Sequence, residues 1–309
     1  MPDRTNYDVI IIGGSFAGLS AAMALGRALR NVLIIDSGWP CNRQTPHSHN
    51  FITQDGNKPG EVGDKARSQV LKYPSIKLLN ELAVSGQLTA SLSDDQSAGF
   101  IIRTESGQEF KAKKLIFASG VKDIMPGIPG FSECWGISVV HCPYCHGYEV
   151  KHEKTGILAN GDIAFHYARL LRNWTKDLII FTNGKSTLSQ EQTNKLRNHN
   201  ISIIENEIEH LNHENGKLKE IVFKDNSAFP LGVLYSRPDF EQHCNIPETL
   251  GCERTEQGFI KVDAFHNTTV PNVFACGDNT SPMRSIANAV AAGNLTGAMV
   301  NNVLTEEEF

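Results

Sequence analysis

Apolar residues along this 309-residue chain fall into short unbroken runs separated by helical stretches, the order expected of parallel strands covered on both faces. The first run, residues 7–12, leads into a glycine turn at 13–18, an apolar helical stretch at 19–29 and a second run at 32–35. That is a strand, tight turn, helix and parallel strand. After Asp36 a polar, proline-containing loop runs through Gly63, followed by a helical stretch ending near Tyr73 and a series of short strands within 76–116. A second unit of the same kind follows: strand 155–159, helix 163–173, strand 178–181. Residues 190–198 read as a helix, 201–204 as a strand, and 208–223 as a hairpin turning near Asn215-Gly216. From Leu231 the chain is expected to return to the first unit. There a buried strand at 273–275 precedes Cys276-Gly277-Asp278, a closing helix at 285–303 and a frayed acidic end at 306–309. The fold class is α/β with two nucleotide-fold halves.

Composition narrows this picture. Hydrophobic residues make up 40% and charged residues 20%, ordinary for a globular chain long enough to build two cores. The net charge of -5 carries no basic block, so nucleic acid has no electrostatic footprint here. Residues 1–12 lack the long apolar region of a secretory signal, and no run reaches membrane-spanning length, so a cytoplasmic location and no membrane partner are expected. Seven cysteines, an odd number, fit a secreted disulfide framework poorly. Cys41, Cys134, Cys244, Cys252 and Cys276 read as reduced, mostly buried small apolar residues.

The turn Gly13-Gly14-Ser15-Phe16-Ala17-Gly18 follows a strand and opens a helix, as a dinucleotide fingerprint does, with Ser15 where the middle glycine usually sits. Gly13 permits the tight turn, Gly18 lets helix pack on sheet, and the helix N-terminus offers free N–H groups to a pyrophosphate. Asp36, ending the next strand, is placed for ribose hydroxyls. In the second unit the turn reads Ala159-Asn160-Gly161-Asp162-Ile163-Ala164, keeping Gly161 and the small Ala164. The stretch Thr182-Asn183-Gly184-Lys185 after its second strand holds neither an acid for a free ribose nor arginines for a 2′-phosphate, leaving Lys185 as a lone cation.

Between the two units stands His141-Cys142-Pro143-Tyr144-Cys145-His146. Two cysteines three positions apart can exchange electrons, hold zinc or anchor haem. Adjacent pairs such as His141-Cys142 rarely both point at one ion, the sequence offers no second paired-ligand cluster, and haem attachment belongs to exporting compartments. A redox disulfide is the favoured reading over inert reduced thiols, with no metal expected. Proline stiffens the turn, and His146 is suited to carry a proton to or from a thiol near neutral pH.

The fingerprint, the Cys-x-x-Cys, the following nucleotide fold, Phe117-Ala118-Ser119-Gly120 and Phe274-Ala275-Cys276-Gly277-Asp278 together resemble the low-molecular-weight thioredoxin reductases over nearly the whole chain. The resemblance implies two Rossmann-like domains, an FAD-binding domain at 1–119 and 231–309 with an NAD(P)H-binding domain at 120–230 inserted into it. It implies FAD and NADPH as cofactors, a homodimer, Cys145 facing the flavin and Cys142 attacking the external disulfide. Gly120 belongs to the matched crossing. Asp278 would bind the FAD ribitol, and Arg284-Ser285-Ile286 would approach the flavin ring. The loop from Arg43 to Gly56, with Asn50 and Asp55, would run beside the flavin. Where thioredoxin reductases carry Asp after the second cysteine, His146 stands here, which is similar to a branch that includes fungal dithiol oxidases. The partner implied is a thioredoxin-like protein or a small disulfide or dithiol. Three alternatives stay open: a dithiol oxidase using oxygen, a ferredoxin-dependent reductase, and a flavin-binding redox sensor.

Overall fold

The computed structural model describes residues 5–89 and 99–309; residues 1–4 of the amino-terminal stretch and 90–98 of the expected strand series lie outside the described residues. In chain order come β1 (Asn6–Ile12), α1 (Phe16–Arg27), β2 (Val32–Ile35), α2 (Pro59–Val70), β3 (Ile76–Leu79), β4 (Ala83–Thr89), β5 (Gly99–Thr104), β6 (Glu109–Phe117) and β7 (Val121–Ile124). Next are α3 (Phe131–Cys134), β8 (Val139–Val140), α4 (Pro143–His146), β9 (Thr155–Leu158), α5 (Gly161–Leu171), β10 (Leu178–Phe181), α6 (Gln190–Asn198) and β11 (Ser202–Ile204). The chain continues through β12 (Ile208–Glu214), β13 (Lys217–Phe223), β14 (Ala228–Pro230), β15 (Val233–Ser236), β16 (Asp239–Gln242), α7 (Ile246–Thr249), β17 (Val273–Ala275) and α8 (Ile286–Glu308).

These elements form two compact units, Met1–Arg43, Pro59–Lys122 and Phe240–Phe309 in one, Gln44–Lys58 and Asp123–Asp239 in the other. The chain crosses between them at β7 and β16, which pair with each other. The sequence reading sets the crossings at 119/120 and 230/231. In the structure Val233–Ser236 pairs in parallel with β9 and β8, which keeps this stretch in the second unit's sheet. Residues 44–58 also group with the second unit.

The first unit is built on a seven-stranded sheet in the order β3-β2-β1-β6-β5-β4, with β17 also on β6. β1, β2, β6 and β17 run parallel in a register that aligns Ile12 with Ile35 and Phe117, and Phe117 with Ala275. Gly13, Asp36, Ala118 and Cys276 therefore leave the same carboxyl edge. Alternation explains why the β1 run is apolar throughout: Val9 and Ile11 enter the core with α1 and α8, and Ile10 and Ile12 enter the opposite core with Phe100 and Ile246.

Helix α8 lies directly on α1. A Cβ on Gly293 would stand 2.1 Å from the Ala17 carbonyl oxygen and one on Gly297 2.5 Å from that of Ala21, so only glycine admits this approach. The Ser20 hydroxyl donates to the Val290 carbonyl at 2.7 Å. The carboxyl end, expected to fray, is instead helical through Glu308. Buried Lys114 donates to Glu307 at 2.5 Å and Asn272 at 2.6 Å, and Arg30 pairs with Glu308 at 2.7 Å. A lysine drawn into a sheet needs a counter-charge, and the last helical turn supplies it.

The second unit has a five-stranded parallel sheet in the order β11-β10-β9-β15-β8 and an antiparallel β12-β13-β14 sheet. Its carboxyl edge carries two loops of interest, the turn after β9 and the cysteine segment after β8. Among the described residues no helix is long and apolar enough to cross a membrane.

Replacing Gly293 with Ala should cost about 1–3 kcal/mol, since backbone rather than a flexible side chain meets the new methyl. Gly63→Ala, in α2 with open space around its Cβ, should be neutral or stabilising by up to ~1 kcal/mol. Urea midpoints of the two variants check the contrast.

Candidate active site

In the first unit the sequence-predicted turn residues converge. Gly13 has φ 106°, and a Cβ there would stand 2.2 Å from the Ala118 carbonyl oxygen; one on Gly18 would stand 1.9 Å from that of Gly13. The Gly14 N–H donates to the Asp36 carboxylate at 3.0 Å, so Asp36 anchors the turn. Ser15 caps α1 in extended backbone without a side-chain capping bond. Arg67 on α2, which sequence reasoning missed, approaches Asp36 at 3.7 Å. Arg43 sits on the polar loop, donating to Pro40 O at 3.3 Å with its guanidinium over Trp39. Gly120 adopts φ 66° with open space where a Cβ would be.

Close by in chain order, Gly277 at φ 90° leaves no room for a Cβ beside Ala17. Asp278 and Arg284 approach at 3.6 Å, and Ser285 caps α8 by accepting the Asn288 N–H at 3.1 Å, which places Ile286 as the first helical residue. Ser119 Oγ, Arg67 Nε and Asn279 Oδ1 are buried without a hydrogen-bond partner in the protein. Buried polar atoms are rarely left so. Three such atoms, a cradle that only glycine fits and two helix N-termini are groups that could hold a polar, phosphate-bearing ligand.

The second unit's turn is closed more tightly. Asn160 Oδ1 accepts the Gly161 N–H at 2.9 Å, the Thr187 N–H at 2.8 Å and the Thr187 hydroxyl at 3.1 Å, stitching the turn after β9 to the loop after β10. Gly161 is at φ 55°, and Ala164 is fully buried where α5 meets the sheet. Glu205 accepts the Ser186 N–H at 2.8 Å, so the loop holding Lys185 also faces a carboxylate.

The cysteine segment leaves β8 at the same sheet edge. Cys142 caps α4 in extended backbone with Pro143 at the first helical position, and the two sulfurs lie 2.7 Å apart as free thiols, Cys145 donating to Cys142. That donated bond is the chief reason the Cys142 thiol is lowered to about 7; burial opposes it, and the Cys145 and Tyr144 N–H groups reinforce it. Cys142 is thus the nucleophile-ready sulfur. The other cysteines contrast with it: burial raises Cys244 to about 11 and Cys276 to about 12. Cys134 and Cys252 are buried as expected, whereas Cys41 is exposed and Cys244 half-buried.

Packing residues that sequence reasoning missed hold the segment. Tyr167 on α5 donates to the His141 carbonyl at 2.9 Å, the His141 ring stacks on Trp135 at 5.7 Å, and Tyr144 meets Trp174 edge-on at 5.6 Å. A Cβ on Gly147 would run into the Trp174 ring at 2.8 Å. Burial holds His146 below the usual imidazole range, Glu149 pulls it up and His49 pushes it down. His49 approaches Glu149 at 3.5 Å and Asp55 at 3.7 Å, and Asp55 accepts the Asn50 N–H at 2.7 Å. The structure therefore places Asn50 and Asp55 in the unit that carries the cysteines. Among the described residues no group of three or more His, Cys, Asp or Glu side chains converges as metal ligands.

Comparison with known proteins agrees with this chemistry. The sequence profile described as pyridine nucleotide-disulphide oxidoreductase matches residues 7–293. Thioredoxin reductase tcpT of Claviceps purpurea is 33% identical over 306 residues, 96% of this chain and 94% of that one. Thioredoxin reductase aclD of Aspergillus oryzae is 30% identical, with 98% of each chain covered. The crystal structure of an oxidoreductase from Agrobacterium tumefaciens is 36% identical, superposes with a TM-score of 0.88 and covers 97% of this chain and 99% of its own.

In the reduced protein, iodoacetamide should alkylate Cys142 with a rate that rises through a midpoint near pH 7. Cys145→Ala removes the chief stabilising bond and should move that midpoint up toward the ordinary thiol range of about 8.5. Mass spectrometry of the labelled peptide across pH checks both.

Proposed function

The chain belongs to the pyridine nucleotide-disulphide oxidoreductase family, as a thioredoxin reductase-like oxidoreductase, and from that premise we propose that it is an FAD-dependent disulfide reductase acting through Cys142 and Cys145. Members of the family use FAD and NAD(P)H. The observation that carries the reading is the pair of sulfurs 2.7 Å apart, Cys145 donating to Cys142 and lowering its thiol to about 7.

The first unit is the FAD-binding domain in this reading. Gly13, Ser15 and Gly18 would take the pyrophosphate, Asp36 the ribose, and Asp278 with the start of α8 the remainder. The buried, unpartnered Ser119 Oγ and Asn279 Oδ1 supply polar atoms for the group to satisfy. When bound, FAD supplies two-electron transfer between a hydride donor and the cysteine disulfide. The second unit would hold the pyridine nucleotide at Gly161 and Ala164, with Lys185 as the one cation its 182–187 loop offers a 2′-phosphate.

The Cys142 thiolate attacks one sulfur of an external disulfide, forming a mixed disulfide and releasing one thiolate. Cys145 then loses its proton to His146 and attacks Cys142, forming the internal disulfide and releasing the second thiolate, to which His146 returns the proton. Burial keeps His146 neutral near pH 7, the form that can accept that proton. The substrate is a thioredoxin-like protein or a small disulfide, and the working form is a homodimer in the cytoplasm. A base of this kind also serves the reverse direction, oxidation of a small dithiol with oxygen as final acceptor.

Anaerobic titration with NADPH and then NADH should bleach the bound flavin, and added disulfide should restore its colour. Failure with both nucleotides would remove the pyridine-nucleotide route. Rapid peroxide formation from dithiols without disulfide turnover would reverse the net direction. Cys142→Ser should abolish turnover while retaining flavin. Asp36→Ala leaves the Gly14 N–H without its partner, which costs about 1–3 kcal/mol, and should lower the flavin content of the purified protein.

A further inference from the structure

The 44–58 loop brings a second imidazole, His49, close to His146, and the disulfide reaction does not use it. Ser48 and Asn57 bridge the base of this loop, and Asn50, Thr53 and Gly56 all take positive φ, so its course is set by backbone turns. Asp55 ties the Asn50 N–H at 2.7 Å and faces His49 Nδ1 at 3.7 Å. The other ring nitrogen, Nε2, faces the Glu149 carboxylate at 3.5 Å, three residues beyond His146. His49 is thus placed between two carboxylates, with only a fifth of its side chain exposed.

We propose that His49 is a positioning residue of the thiol–disulfide reaction: held by Asp55, it competes with His146 for the Glu149 carboxylate and so sets when His146 carries the proton. The inference rests on the reading of His146 as proton carrier. Carrying a proton, His49 pairs with Glu149, withdraws that negative charge from His146 and adds a positive one nearby, so His146 stays neutral and accepts a proton. When His49 is neutral, Glu149 is free to hold the imidazolium of His146, which then donates. Both groups lie near enough to act on the charge of His146, Glu149 favouring its imidazolium and His49 opposing it. The groups facing the cluster are His47 on the same loop, Cys142, Cys145 and His146 on α4 and its cap, and Tyr235 on β15 with Tyr167 on α5 behind them. Tyr235 is pushed up by burial and holds no charge near neutrality, so the histidines and carboxylates decide the balance.

The test is a titration of the His146 ring by carbon–proton NMR in the flavin-loaded protein, assigned with His146→Gln and followed from pH 5 to 9. His49→Gln should move the His146 midpoint up by about half a unit or more, and Glu149→Gln should move it down by a similar amount. His49→Lys keeps a positive charge beside Glu149 at every pH and should move the midpoint down. Opposite shifts for Gln and Lys at one position cannot arise from lost packing. Shifts in the same direction, or none, would overturn the proposal. The readout needs no substrate, so absence of disulfide turnover would count against the proposed function and leave this result standing.

Discussion

Close backbone approach around α1 is the constraint on which the first unit depends. Gly13 against Ala118, Gly18 against Gly13, and Gly293 and Gly297 against the carbonyls of Ala17 and Ala21 each leave less space than a methyl group needs. Helix α1 is held between the sheet edge and α8 with almost no side-chain spacer. Its N-terminus therefore sits where β1, β2, β6 and β17 all end, the position at which an open parallel sheet binds ligands. Asp36 adds a carboxylate bond to the Gly14 N–H, which holds the turn in shape.

The second unit uses the same kind of sheet edge for two purposes. The turn after β9 is drawn shut by Asn160, and the end of β8 carries the cysteine pair. What distinguishes Cys142 from the five cysteines outside the pair is a donated thiol bond and two backbone N–H groups, against apolar burial at Cys244, Cys252 and Cys276. A proline at the first turn of α4 and a glycine packed under Trp174 leave this segment little freedom. The low position of the Cys142 thiol follows from local geometry.

Much of the fold was legible because unbroken apolar runs such as 7–12 and 178–181 encode strands buried on both faces. Where the structure departs from the linear pattern, long-range pairing is the cause. Residues 231–236 read as a return to the first unit, yet strand pairing with β9 retains them in the second. The acidic end at 306–309 read as frayed because its partners, Lys114 and Arg30, lie nearly two hundred residues or more away. Resemblance implies a flavin-side loop at Asn50 and Asp55; by its contacts that loop groups with the unit that carries the cysteines.

By itself the sequence determined the two nucleotide-fold halves, the glycine turn with Asp36, the redox-capable cysteines and the odd histidine after them, because each is a local pattern of period, spacing or residue type. The three-dimensional contacts were needed to show the thiol bond from Cys145 to Cys142, that Arg67 faces Asp36, and that Tyr167, Trp174 and Gly147 hold the cysteine segment. They alone also show that His49 and Glu149 meet beside His146. These are contacts between residues far apart along the chain, and their energies depend on distances of a few ångströms that no linear pattern records.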